Sequence, residues 1–133
     1  MSRTVTKTAQ LPVLLIEDEP SLVELVRTAL ERNGYDVICT QSGAEGLRLL
    51  TEQDFLGVVS DMRTPGGVDG ADVHAWITAN RPALASRMVL VTGDIANEET
   101  VAKLRRTGVP YVEKPFRLQQ LLSVIRKTMG DPL

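Results

Sequence analysis

Four short apolar runs, each closed by polar or turn-forming residues, punctuate the chain. They are Val13-Leu14-Leu15-Ile16 before Glu17-Asp18-Glu19, Val58-Val59-Ser60 before Asp61, Val89-Leu90-Val91 before Thr92-Gly93, and Tyr111-Val112-Glu113 before Lys114-Pro115. Runs of this length without apolar/polar alternation read as strands covered on both faces, as in a parallel sheet. A shorter run at 37–39 adds another strand, second in chain order. The segments between them carry the helical period instead. Leu22, Leu25, Val26, Ala29 and Leu30 recur at helical spacing before a stop at Gly34. Ser42-Gly43-Ala44-Glu45 has capping-box spacing ahead of Leu47 and Leu50, with the helix ending near Gln53. The third strand is expected at 55–60, and Asp69 is placed to cap a helix bearing Val73, Trp76 and Ile77 that Pro82 ends. The fourth strand is expected at 88–91. Asn97 starts a helix with Glu98 and Glu99 in its first turn and a thin apolar face, and Leu118, Leu121, Leu122 and Ile125 stripe the last helix.

Five strand-helix alternations predict an α/β fold, a doubly wound five-stranded parallel sheet with right-handed crossovers. Periodicity does not give strand order. In the order 2-1-3-4-5, however, the switch point lies between the first and third strands, and Glu17, Asp18 and Asp61 meet in the crevice at the carboxyl edge.

Bulk properties narrow the function. A chain of 133 residues, 43% hydrophobic and 24% charged, suits one domain with a real core. The expected division is a flexible tail over 1–10 and a folded domain over 11–130. A net charge of −2 gives no basic surface for a phosphate backbone, so direct nucleic-acid binding is not expected. No run spans a bilayer and no secretory signal is visible, which predicts a cytoplasmic protein without membrane attachment. Cys39 is the single cysteine, which excludes an internal disulfide and reads as a small apolar side chain. His74 reads as a surface residue on a helix remote from the strand ends, and Trp76 as core.

The strand-end residues make chemical sense together. Two like unit charges about 4 Å apart repel by roughly 4 kcal/mol at an effective dielectric of 20, so three carboxylates call for a cation. Oxygen ligands without His or Cys favour a hard ion, and Mg²⁺ sits on one or two carboxylates while keeping waters for phosphate oxygens. A transferring phosphoryl group there would meet Mg²⁺, the Lys114 ammonium and the Thr92 hydroxyl. Asp61, alone at its strand end, is the candidate nucleophile for an acyl phosphate. Glu17 and Asp18 read as metal ligands.

These residues, in this order, resemble the receiver domains of two-component response regulators. The likeness runs over 11–129 and involves Glu17-Asp18, Asp61 with Pro65-Gly66 behind it, Thr92, Tyr111 and Lys114-Pro115-Phe116. It implies the CheY-like receiver fold and a phosphoacceptor signalling domain that assists only its own phosphorylation and dephosphorylation. Asp61 would take a phosphoryl group from a sensor histidine kinase or a histidine phosphotransfer protein. Asp18, Asp61 and the backbone carbonyl of Arg63 would hold Mg²⁺, with Glu17 acting through a bound water. Many relatives carry two aspartates where this chain has Glu17-Asp18, a mild departure. The resemblance further implies a switch in which Thr92 moves toward the phosphoryl group, Tyr111 turns inward, and the fourth helix, fifth strand and fifth helix form the altered face. A cis Lys114-Pro115 peptide is expected on the same ground. Read alone, Tyr111 is equally a core aromatic on a strand. The output would be a downstream protein or a fused output domain, from a monomer or weak dimer. A receiver appended to a hybrid sensor kinase, and a degenerate receiver that binds partners without phosphorylation, are the alternatives.

Arg63 and Asp94 stand two residues after Asp61 and Thr92, at positions that vary among such domains. They are expected to pair across the phosphoryl pocket and slow the attacking water, modulating phosphate lifetime. Two other classes fit less well. A flavodoxin-like cofactor binder needs a Ser/Thr/Gly loop after the first strand, where this chain has Glu-Asp-Glu, and an aspartyl phosphohydrolase usually shows Asp-x-Asp there, whereas position 20 is proline.

Overall fold

The computed structural model of the chain describes residues 10–132, and most of the expected tail lies outside them. Gln10 does not hang free, since its side-chain amide donates to the Gly34 carbonyl at 2.9 Å. Five strands, β1 (Val13–Ile16), β2 (Val37–Thr40), β3 (Gly57–Asp61), β4 (Met88–Thr92) and β5 (Tyr111–Glu113), form one parallel sheet in the order β2-β1-β3-β4-β5. The helices between and after them are α1 (Pro20–Arg32), α2 (Gly43–Glu52), α3 (Gly70–Asn80), α4 (Glu98–Thr107) and α5 (Leu118–Met129). Among the described residues no helix is long and apolar enough to cross a membrane.

The two-residue period of a strand sorts the core into two layers. Leu14, Ile16, Val58, Met88 and Leu90 face one way and pack with Leu50, Val73, Ile77 and Leu104 from α2, α3 and α4. Val13, Leu15, Val59, Val89 and Val91 face the other way and pack with Val26, Leu30, Leu121 and Ile125 from α1 and α5. Every residue of β1, β3 and β4 is buried, which explains why these strands read as unbroken apolar runs. Helix α4 buries only Leu104, in keeping with its thin apolar face. Cys39 and Trp76 are partly buried and pack against the α1/α5 and α2/α3/α4 layers respectively, and His74 is likewise half-buried.

Boundaries moved where side-chain pattern and backbone pairing part company. Phe55 is core without being in the ladder, so β3 starts at Gly57 and runs through Asp61, whose backbone pairs with Val91. Gly57 has to be small, because a Cβ there would lie 2.6 Å from the Arg87 carbonyl oxygen. Pro82 ends α3 as expected but also opens a 3-10 helix, Pro82–Arg87, that buries Leu84 and that no periodicity announces. The starts of α2, α4 and α3 follow their polar signals: Ser42 accepts from Glu45 N–H, Asn97 from Thr100 N–H, and Asp69 and Asp72 form a reciprocal capping box on α3. Asp69 also accepts from Lys103 Nζ at 3.2 Å, tying α4 to the start of α3.

Replacing Asp69 with Ala is expected to lower the unfolding free energy by about 1 kcal/mol through loss of the cap, whereas Asp69→Asn, which retains an acceptor, should recover most of that. Urea denaturation of the two variants beside the parent checks it.

Candidate functional site

Sheet register assembles the site. Ile16 pairs with Ser60 and Asp61 with Val91, so Glu17 and Asp18 leave β1 beside Asp61 while Thr92 leaves β4 one step further on. The ladder continues past β5, where Lys114 N–H donates to the Thr92 carbonyl at 2.7 Å and brings the lysine back over the carboxyl edge. The Lys114-Pro115 peptide is cis.

Lys114 Nζ lies 2.7 Å from Asp61 Oδ2 and 3.3 Å from Glu17 Oε1, one ammonium shared by two buried carboxylates. Glu17 and Asp61 are only 4% and 8% exposed, so their charges are poorly screened. Glu17 also accepts from Glu19 N–H through Oε2 at 3.1 Å, and Asp61 Oδ1 accepts from Arg63 N–H at 3.2 Å. Burial, with the Asp61 charge adding to it, pushes the Glu17 carboxyl above its ordinary value despite the Glu19 amide and Lys114. Burial alone would pull the Lys114 ammonium down, but its bonds to Asp61 and Glu17 outweigh that and hold it above the ordinary lysine value.

Glu17, Asp18 and Asp61 each bring a carboxylate oxygen to within 4.8 Å of the others. Asp18 is exposed and faces the cluster from the solvent side. An all-oxygen donor set with excess negative charge, open on one side, fits a hard divalent cation that keeps part of its water shell. Thr92 is 1% exposed, and its hydroxyl accepts from Asp94 N–H at 3.2 Å. Arg63 Nη2 and Asp94 Oδ2 meet at 2.5 Å, two residues beyond Asp61 and Thr92 respectively, with the Arg63 side chain 71% exposed. Tyr111 is 38% exposed on the edge strand, so it is not a core aromatic. Hydrogen bonds made by Thr64 behind the crevice had no signal in the sequence beyond a hydroxyl next to Pro65-Gly66-Gly67.

Residues 13–126 match the family model of the response regulator receiver domain. The chain belongs to that family. This receiver is 30% identical over 113 residues to the transcriptional regulatory protein GlrR of Escherichia coli, an alignment covering 85% of the chain and 25% of GlrR. It is 28% identical over 120 residues to the polar-differentiation response regulator DivK of Brucella ovis, covering 90% of the chain and 96% of DivK. The receiver thus spans about a quarter of the first relative and nearly all of the second. Its fold is shared with the receiver domain of the sensor histidine kinase PA1611 from Pseudomonas aeruginosa, with a TM-score of 0.78, 24% identity and coverage of 92% and 100% of the two chains. That domain was solved with a magnesium ion coordinated in its active-site cleft.

The raised Glu17 carboxyl sets a pH dependence. An acid whose folded-state pKa lies above its unfolded value, ordinarily 4.5, ionises more readily in the unfolded chain, so its penalty appears as pH rises through that value. In chelator, Glu17→Gln is therefore expected to be more stable than the parent at pH 7, with the difference vanishing below about pH 4. Urea unfolding at both pH values reads the difference.

Proposed function

We propose that Asp61 is the phosphoacceptor of a two-component phosphorelay, taking its phosphoryl group from the phosphohistidine of a sensor histidine kinase or a histidine phosphotransfer protein. The observation that carries this is the Asp61 carboxylate, buried at the end of β3 against the Lys114 ammonium and beside two further acids. In the transfer, an Asp61 carboxylate oxygen forms a bond to phosphorus as the P–N bond to imidazole breaks; the bonding pair stays on that nitrogen, and the ring, protonated from solvent on its other nitrogen, leaves as neutral imidazole. Asp18, Asp61 and the Arg63 carbonyl would hold Mg²⁺, with Glu17 reaching it through a water. Bound there, Mg²⁺ supplies positive charge to the phosphoryl oxygens and offsets the crowded carboxylates. Lys114 holds Asp61 oriented and, once phosphorus is attached, is positioned to bond a phosphoryl oxygen instead. The Thr92 hydroxyl, at the end of the neighbouring β4, is a second donor.

The same chemistry gives a signal. A phosphoryl group on Asp61 draws Thr92 toward it, and Tyr111, outward in this structure, turns into the space that Thr92 leaves. Helix α4 is the element that yields, since Leu104 is its single buried residue and one polar pair, Lys103 with Asp69, ties it to α3. The face made by α4, β5 and α5 would then present the phosphorylated state to a protein target or a fused output domain. The domain boundary is placed at 11–130 and the setting in the cytoplasm, where the phosphodonor is made. The protein assists only its own phosphorylation and dephosphorylation. The pair Arg63 and Asp94, two residues beyond Asp61 and Thr92, obstructs the line along which water would attack phospho-Asp61 and so prolongs its life.

Incubation with acetyl phosphate and Mg²⁺ is expected to add one phosphoryl group by intact mass, with no adduct in chelator or in Asp61→Ala. An adduct on Asp61→Ala, or none on the parent with either acetyl phosphate or a phosphorylated kinase, contradicts the assignment. For the Arg63–Asp94 pair, Arg63→Ala should hasten loss of the phosphoryl group severalfold in a chase, and an unchanged half-life removes its proposed role.

A further inference from the structure

The loop leaving Asp61 is fixed at its ends and loose in its middle. Met62 N–H donates to the Val91 carbonyl at 2.7 Å, and Gly70 N–H to the Met62 carbonyl at 2.8 Å. Between these anchors Pro65, Gly66 and Gly67 are exposed; the two glycines have φ of 91° and 84°, and nothing lies within 4 Å of where a Cβ would be. Such a stretch has little rigidity of its own. Arg63, whose carbonyl is the backbone ligand in the proposed cation site, stands between the firm part and the loose part.

Thr64 closes the gap with one hydroxyl. Its oxygen accepts from Gly43 N–H at 3.2 Å, and its O–H donates to the Val68 carbonyl. One donor and two lone pairs allow both bonds at once. The Gly43 N–H belongs to the first turn of α2, where no intrahelical acceptor exists. Gly43 itself completes the fit, because a Cβ there would lie 2.6 Å from the Val68 oxygen and 2.8 Å from Val68 Cγ1. The loop is thus pressed against the start of α2 at a point that admits no side chain. Among the described residues, no other side-chain hydrogen bond ties 64–68 to another element.

We propose that Thr64 is a positioning residue for the cation site, clamping the loop to α2 so that the Arg63 carbonyl is held in place next to the Glu17, Asp18 and Asp61 carboxylates. This rests on reading that cluster as a Mg²⁺ site. Mg²⁺ demands near-octahedral geometry with ligands at about 2.0–2.1 Å, so a drifting carbonyl forfeits affinity. Outer partners that orient metal ligands typically carry about 10–100-fold in affinity. The clamp acts on the carbonyl while leaving the three carboxylates where the strands put them.

The test is calorimetric titration of the full chain with MgCl₂, for the parent, Thr64→Val, Thr64→Ser and Gly43→Ala, each melted in chelator to establish that it folds. Thr64→Val, which keeps the shape and loses the hydroxyl, should bind Mg²⁺ about tenfold more weakly. Thr64→Ser should stay within about twofold of the parent, and Gly43→Ala should weaken binding by forcing the Val68 carbonyl away. Thr64→Val binding as the parent does, or Thr64→Ser binding as weakly as Thr64→Val, overturns the proposal. If Thr64→Val does not fold, Gly43→Ala decides, and parental affinity there overturns it equally. A parent that binds no Mg²⁺ defeats the reading of the cluster itself, a result visible before any variant is compared.

Discussion

Glu17, Asp18 and Asp61 bring carboxylate oxygens to within 4.8 Å of one another at the carboxyl ends of β1 and β3, two strands that are wholly buried. Repulsion at that distance, in a place where water screens poorly, opposes the native state unless positive charge is supplied. Lys114 supplies it from the far side of the sheet, reaching both Asp61 and Glu17. The ammonium satisfies two acids and leaves Asp18 facing solvent, so a surplus of negative charge remains. That residual charge makes the crevice receptive to a divalent cation and then to a phosphoryl group. Burial, with the Asp61 charge added to it, makes Glu17 resist ionisation, and the bonds to Asp61 and Glu17 make Lys114 hold its proton.

Much of this was legible along the chain because a parallel sheet buried on both faces writes each strand as a continuous apolar run, and the first polar residue after a run marks the carboxyl edge. Glu17 and Thr92 follow from that rule. Asp61 and Lys114 stand one residue further on, after Ser60 and Glu113, and Lys114 is singled out by Tyr111 and Pro115-Phe116 beside it. The register brings all four to one crevice. Strand order was not legible from the period and came with the family resemblance. The 3-10 helix at Pro82–Arg87 escaped because one buried residue, Leu84, makes no pattern. Tyr111 had two readings, and the edge position of β5 decided against burial, since that strand has a neighbour on one side only. The bond between Thr64 and Gly43 and the pair between Asp69 and Lys103 join segments 21 and 34 residues apart, and no local spacing encodes such contacts.

Rigidity is distributed unevenly around the crevice. Strands β1, β3 and β4 fix Glu17, Asp61 and Thr92 in a packed core, whereas Arg63, Thr64 and Asp94 stand on loops, and α4 rests on one buried leucine and the Lys103–Asp69 pair. A site built this way holds its reacting carboxylate still while letting one flank respond to what is bound. Folding stability and signalling thus draw on the same electrostatics, because a ligand that relieves the crowded acids stabilises the chain and biases its loosely held side.

The most direct measurement is urea unfolding of the parent and of Asp61→Asn, each in chelator and in saturating Mg²⁺. Binding to the native state alone at 100 times the dissociation constant adds about 2.7 kcal/mol. The parent is expected to gain that much, Asp61→Asn far less, and the variant to be at least as stable as the parent when Mg²⁺ is withheld. Equal gains in both proteins, or none in the parent, would contradict the claim that crowded carboxylates around Asp61 are the organising feature of this structure.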